Sequence, residues 1–356
     1  MVTNRFMVSV TIVAIAASLA TMPAASAGTG HGAPSADGVI VWTNRADDGS
    51  EHLMIARADG SHARALTPSI PDNFDIDAQV SPDGRWIAYE HDTPVDASIH
   101  LVRPNSKQDH VVDVGCVDPC VAAVSPTWLS STRLAFSLVS GPFDDETGNA
   151  ASAVLWSARV DGTDVRRLSE PGIDGVYEDG YLRVSRDRSF LTFMRRSNAD
   201  GRSALFRVAP DGSDLRQLTP WDISAEVNDL STAKRGPTKD LIVFESYGRG
   251  DPDATFADIA TVPATCRSLE ACTAEIHWLT DNGATGRRNA NPQWSPDGSS
   301  LVFTNRSSID EPNADIWTMR YGGYQRRQVS TSPNFDYRPA WGTSRPCNRG
   351  WPGGPA

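Results

Sequence analysis

Asp75, Asp179, Asn289 and Asp336 align with one another in four places where the chain leads into a short apolar strand. The stretches are Phe74-Asp75-Ile76-Asp77, Glu178-Asp179, Asn289-Ala290-Asn291 and Phe335-Asp336. Hard oxygen donors gathered in this way suit Ca²⁺, with Asp75, Asp179 and Asp336 as its carboxylates. Together with Asp77 and Asn291 they could instead draw in a basic peptide or a hydroxyl-rich ligand. Asp and Asn also cap turns at strand starts, a purely architectural use. The sequence leaves both readings open. In the two remaining lead-ins the corresponding candidates are Ala123 or Ser125, and Glu226 or Asn228.

Four longer loops are acidic as well: RADDGSEH (45–52), PFDDETGN (142–149), GRGDPDATFAD (248–258) and SSIDEPNAD (307–315). Solvation accounts for them, and none follows the D-x-D-x-D-G pattern of a calcium loop closely. The seven histidines, at 31, 52, 62, 91, 100, 110 and 277, all avoid the lead-ins, and only His52 and His91 are placed to meet. No H-E-x-x-H, Walker A or dinucleotide fingerprint occurs.

What must position the aligned residues is an internal repeat. Ser-Pro-Asp-Gly at 81–84 precedes Trp86-Ile87-Ala88-Tyr89, and the same tetrapeptide at 295–298 precedes Leu301-Val302-Phe303. Related triplets are Leu134-Ala135-Phe136, Leu191-Thr192-Phe193 and Ile242-Val243-Phe244, and Val39-Ile40-Val41 makes a sixth copy. Behind them recur ARADGSHARALTP (56–68), ARVDGTDVRRLSE (158–170), VAPDGSDLRQLTP (208–220) and MRYGGYQRRQVST (319–331), each a pair of strands about a Gly-containing turn. Each unit therefore reads as four short strands. Asp83 and Asp297 read as turn formers, with Ser capping, Pro presetting φ and Gly in the left-handed position. The stretch FDYRPAWG (335–342) matches the lead-in FDIDAQVS (74–81) but no further unit follows it. The C-terminal strand is thus expected to join the N-terminal unit and close the ring.

Composition narrows the function classes. The formal net charge is −11, and only Lys107, Lys234 and Lys239 of the 33 basic residues are lysines. An acidic chain without basic runs argues against nucleic acid and anionic membrane surfaces. Arg5, the apolar run Phe6–Ala20 and Ala25-Ser26-Ala27 read as a secretory signal peptide over 1–27. A linker (28–37), a repeat domain (38–343) and a tail (344–356) follow. No Cys stands at the cleavage point, so an unanchored, extracytoplasmic chain is expected. There Cys116 with Cys120, and Cys266 with Cys272, are candidate local disulfides, leaving Cys347 over.

The repeats QWSPDGSSLVF and QVSPDGRWIAY, with the DG…LT hairpins, resemble the TolB-like six-bladed β-propeller and its WD40-like (PD40) repeats over about 38–343. The resemblance implies an all-β fold of six four-stranded antiparallel blades. TolB has an α/β domain ahead of its propeller, and only the short 28–37 stretch stands there in this chain, so TolB's full envelope role is not implied. Prolyl-oligopeptidase-like enzymes are similar too, but they need a separate hydrolase domain, and no G-x-S-x-G occurs. The absence of lead-in histidines also separates the chain from propeller lyases that gather them in the channel. The expected function is a secreted, non-catalytic module binding a protein, peptide or envelope polymer at the channel face. The alternative is a calcium-assisted hydrolase or lyase acting on a sugar or ester.

Overall fold

The apolar triplets are buried segments of strands, from Val39-Ile40-Val41 through Leu301-Val302-Phe303. Strands covered on both faces read as continuous apolar runs instead of alternating ones. The computed structural model describes residues 38–343, apart from 106–108, 145–148, 171, 252 and 309. The expected signal peptide, linker and tail, with His31 and Cys347, lie outside the described residues.

The strands in chain order are β1 (Val39–Arg45), β2 (Glu51–Arg57), β3 (Arg64–Ala65), β4 (Phe74–Val80), β5 (Ile87–Asp92), β6 (Ala97–Val102), β7 (Asp109–Val111) and β8 (Cys120–Ser130). Next come β9 (Arg133–Phe143), β10 (Ala150–Arg159), β11 (Arg166–Arg167), β12 (Tyr177–Val184), β13 (Leu191–Ser197), β14 (Ser203–Val208), β15 (Arg216–Gln217) and β16 (Ala225–Leu230). The last are β17 (Leu241–Tyr247), β18 (Ala257–Pro263), β19 (His277–Trp278), β20 (Arg288–Trp294), β21 (Ser300–Arg306), β22 (Asp315–Arg320), β23 (Arg327–Gln328) and β24 (Phe335–Gly342). From β4 onward, successive groups of four pair antiparallel in order, as in β4-β5-β6-β7. The first three strands take β24 as their inner partner. Val39 stands opposite Gly342, Ile40 opposite Trp341 and Asn44 opposite Asp336.

Each apolar cluster straddles two such groups. Val39, Leu53 and Ile55 pack with Ile87 and Tyr89; Leu205 and Phe190 pack with Phe244 and Val262. One cluster joins the last group to the first, setting Val302, Ile316 and Val329 against Ile40, Trp42 and Trp341.

The recurrent Leu-Thr/Ser pair has a direct use. The hydroxyls of Thr67, Ser169, Thr219, Thr280 and Ser330 each accept the main-chain N–H of a third-strand residue at 2.9 Å. The Ser-Pro-Asp-Gly turns form as expected: Ser81 Oγ donates to Asp83 Oδ1 at 2.8 Å and accepts from Trp86 N at 3.0 Å, with Gly84 at φ 66°. Asp297 repeats this beneath Ser295. The same turn recurs unannounced at Ser185, whose hydroxyl donates to Asp187 and accepts from Phe190 N. The divergent fifth hairpin holds the one α-helix among the described residues, α1 (Leu269–Ala274), capped by Ser268. Both cysteine pairs fit disulfides, with Cα–Cα distances of 5.2 Å (Cys116–Cys120) and 5.3 Å (Cys266–Cys272). No helix of the described residues is long and apolar enough to cross a membrane.

The junction of β24 with β1 is close enough to demand glycine. A Cβ on Gly342 would overlap the Val80 side chain. Gly342→Ala is therefore expected to lower stability by about 1–3 kcal/mol, as overpacking does. Gly283→Ala, whose Cβ would meet Phe256 at an ordinary 3.6 Å, should stay within about 0.5 kcal/mol of wild type. Urea unfolding of the two variants checks this, and an unshifted midpoint for Gly342→Ala would contradict it.

Candidate functional site

Each inner strand breaks its ladder at the same place. The register shifts fall between Ile76 and Gln79, Val124 and Thr127, Gly180 and Arg183, Glu226 and Asn228, and Ala290 and Gln293, with another opposite β24 between Val41 and Thr43. At every break sits a non-glycine residue with positive φ: Asp77 (52°), Ser125 (53°), Tyr181 (50°), Val227 (22°), Asn291 (50°) and Arg338 (49°). A bulge re-aims its side chain. All of these residues line one small central cavity that opens to solvent.

Neighbouring groups brace the bulges through polar residues on their second strands. Glu90 Oε2 accepts Ser125 N at 2.8 Å, Glu245 Oε2 accepts Asn291 N, and Thr304 Oγ1 accepts Arg338 N at 3.2 Å. Two arginines sit among the acids at the centre. Arg338 Nη1 lies 3.1 Å from Asp77 Oδ2. Burial alone would lower the Arg338 pKa, but Asp77, Tyr181, Tyr337 and Glu90 hold it well above the usual value. Arg183 meets Asp229 at 3.0 Å, and Asp229 also accepts Trp294 N at 2.8 Å. Burial, then Asp92 and Asp77, push the Glu90 carboxyl well up. Burial takes Asp92 up to about 6 and, partly offset by the Asn291 amide, takes Glu245 up to about 8.

Of the residues expected from the sequence, Asp77, Asn291 and the alternative Ser125 line this cavity. The aligned set two positions earlier is buried between groups and engaged there. Asp75 accepts from His91 Nδ1 at 2.6 Å. Asp179 takes a two-pronged pair from Arg195 at 2.7 and 2.8 Å, plus Ser169 at 2.8 Å. Asn289 accepts from Asn305 at 2.6 Å, and Asp336 accepts from Asn44 and Ser332. The bulge register puts Ala123 and Ala225 in the corresponding places of the other two groups, so neither Glu226 nor Asn228 occupies that position. As calcium ligands Asp75, Asp179 and Asp336 fit poorly, because their oxygens already accept from the protein's own donors. Among the described residues no group of three or more His, Cys, Asp or Glu side chains is arranged to hold a metal ion.

His91 meets His100 instead of His52, with ring centroids 4.5 Å apart. His100 Nδ1 lies 2.6 Å from Asp109 Oδ2. Sequence reasoning missed Arg338, Tyr181, Arg183, Glu90 and Glu245. The first two stand two residues after Asp336 and Asp179, which is the signal that locates them.

No protein-family model and no curated protein sequence matches the chain. Solved structures do. TolB from Acinetobacter baumannii superposes with a TM-score of 0.62 at 16% identity, over 87% of this chain and 68% of that one. A protein assigned as TolB from Agrobacterium tumefaciens gives 0.56 at 15%, over 86% and 99%. A chain of a nidogen–laminin complex gives 0.56 at 10%, over 86% and 100%. The fold is that of a TolB-like β-propeller. At these identities the likeness speaks for the fold alone.

Glu245 supplies a test of the central charges. Its folded pKa of about 8 lies above the ordinary 4.5, so the unfolded chain ionises first and stability is lost as pH climbs from about 4.5 to about 8. Glu245→Gln keeps an acceptor for Asn291 N and removes the ionisation. Its unfolding midpoint should rise relative to wild type across that window and level off above it. A difference independent of pH would contradict the assignment.

Proposed function

We propose that the chain is a six-bladed propeller, closed by β24 in the N-terminal blade, that works outside the cytoplasm and binds a protein or peptide partner, or an envelope polymer, at its channel face without turning it over. The pairing of β24 with β1 supports the closure, as does the cluster that joins Val302 and Ile316 to Ile40 and Trp42. Two pairs of cysteines at disulfide distance support an oxidising compartment, in line with the leader expected over 1–27.

The observation that carries the binding reading is the convergence of Asp77, Ser125, Tyr181, Val227, Asn291 and Arg338 on one cavity. Six bulges place six different chemistries around it, which suits shape- and charge-specific recognition. A neighbour with this fold, the nidogen–laminin chain, belongs to a protein complex, which favours a protein or peptide ligand.

The calcium-assisted hydrolase or lyase remains the second reading. It would need Asp75, Asp179 and Asp336 to exchange their internal donors for a cation.

Mature protein immobilised on resin should retain a partner from envelope extracts, and Asp77→Lys should lose it while keeping a wild-type circular dichroism spectrum. Equal retention by both proteins would sink the channel assignment. Thermal unfolding with EDTA or added Ca²⁺ should superimpose. A rise of several degrees with Ca²⁺ would favour the second reading instead.

A further inference from the structure

Arg288 and Arg306 stand directly opposite each other across β20 and β21. Like charges so placed repel. Arg288 Nε donates to the Thr255 carbonyl at 3.0 Å, and Arg306 Nε donates to the Glu311 carbonyl at 2.7 Å. Among the described residues neither guanidinium has a carboxylate partner, although Asp310 and Glu311 act on Arg306 from a distance. Burial, then the field of Arg288, lower the Arg306 pKa.

Each cation is held in place by aromatic faces. Arg288 lies over Tyr247 at 5.4 Å, and Arg306 lies over Phe335 at 5.7 Å. Arg45 shares that Phe335 ring at 5.4 Å and is already paired with Glu51. These residues are the first of β20 and β24 and the last of β1, β17 and β21, so they gather at one rim, where the inner strands begin. Anchoring at Nε leaves the Nη edges of two half-buried guanidiniums available and pre-oriented, the arrangement that receives a carboxylate.

We propose that Arg288 and Arg306 form a carboxylate-binding site for an acidic peptide segment of the partner. The inference deepens the binding reading and rests on it for the site's place on the channel face. A peptide fits better than a polyanionic polymer because the cationic patch is short. Glu51, Asp310 and Glu311 bound it, and the chain as a whole carries −11, so a long run of anions would be repelled beyond the patch.

The probe is a fluorescein-labelled peptide, Gly-Glu-Phe-Glu-Gly-Ser, compared with its Glu→Gln counterpart and with polyglucuronate, by fluorescence anisotropy at low salt. The Glu peptide should bind wild type about tenfold or more tighter than the Gln peptide. R288Q and R306Q should each abolish that difference. In parallel, R288Q should raise the thermal midpoint of the unliganded protein, since it removes a like-charge opposition; a structural role would lower it. Unchanged discrimination in the variants, a lowered midpoint, or tighter binding of polyglucuronate than of peptide would each overturn the proposal. If the arginine variants lose the peptide while D77K still retains the envelope partner, the channel assignment fails and this site stands. If D77K loses the partner and the arginine variants keep peptide discrimination, this site alone fails.

Discussion

The pairing of β24 with β1 is the contact on which the rest of the molecule depends. Every group of strands is apolar on both faces, so every group needs a neighbour on each side. A linear stack would leave two such faces in water at its ends. The C-terminal strand lies beside the N-terminal one, with Trp341 against Ile40 and Trp42. The close approach at Gly342, and of Gly38 to the Gly342 carbonyl, shows how little slack the junction has. Head and tail of the described chain are thereby paired directly.

Bringing the inner strands together creates the opposite problem at the centre. There main-chain groups crowd, the ladders break and polar atoms accumulate. A positive φ at a non-glycine residue costs roughly 1–2 kcal/mol, and it recurs in each inner strand. The structure offsets it by bracing: Glu90, Glu245 and Thr304 accept the bulged N–H groups from the adjacent group of strands. The same carboxylates are buried among other acids, and Arg338 and Arg183 supply the compensating charge. The cavity thus forms where the inner strands meet, and its chemistry varies because the bulged position of each strand carries a different residue type.

Much of the fold was legible in the sequence, because turns and apolar triplets are local signals. Ser81 and Ser295 cap their turns as their tetrapeptides imply, and Thr67 and its counterparts explain the Leu-Thr pairs. The site was less legible, for a specific reason. In a regular strand Asp75 and Asp77 would share a face, and so would Asp336 and Arg338. The bulge breaks that period, sending Asp75 between groups of strands and Asp77 to the axis. Nothing marks the bulge locally: Asp77, Tyr181, Val227 and Arg338 share no residue type, and none is the glycine that positive φ favours. The rim arginines were hidden for another reason, since Arg288 and Arg306 become opposed only once the β20–β21 register is known.

The most direct measurement of the central claim is native-state hydrogen exchange. If β24 locks the ring, the amides of Val41 and Thr43 in β1 and of Ala340 and Trp341 in β24 should exchange only through global unfolding. Their free energy of opening should match that of Val243 and Phe244 in β17, and it should fall in step with theirs as denaturant is added. Exchange of the β24 amides through a separate opening of much lower free energy, while β17 stays protected, would contradict the account.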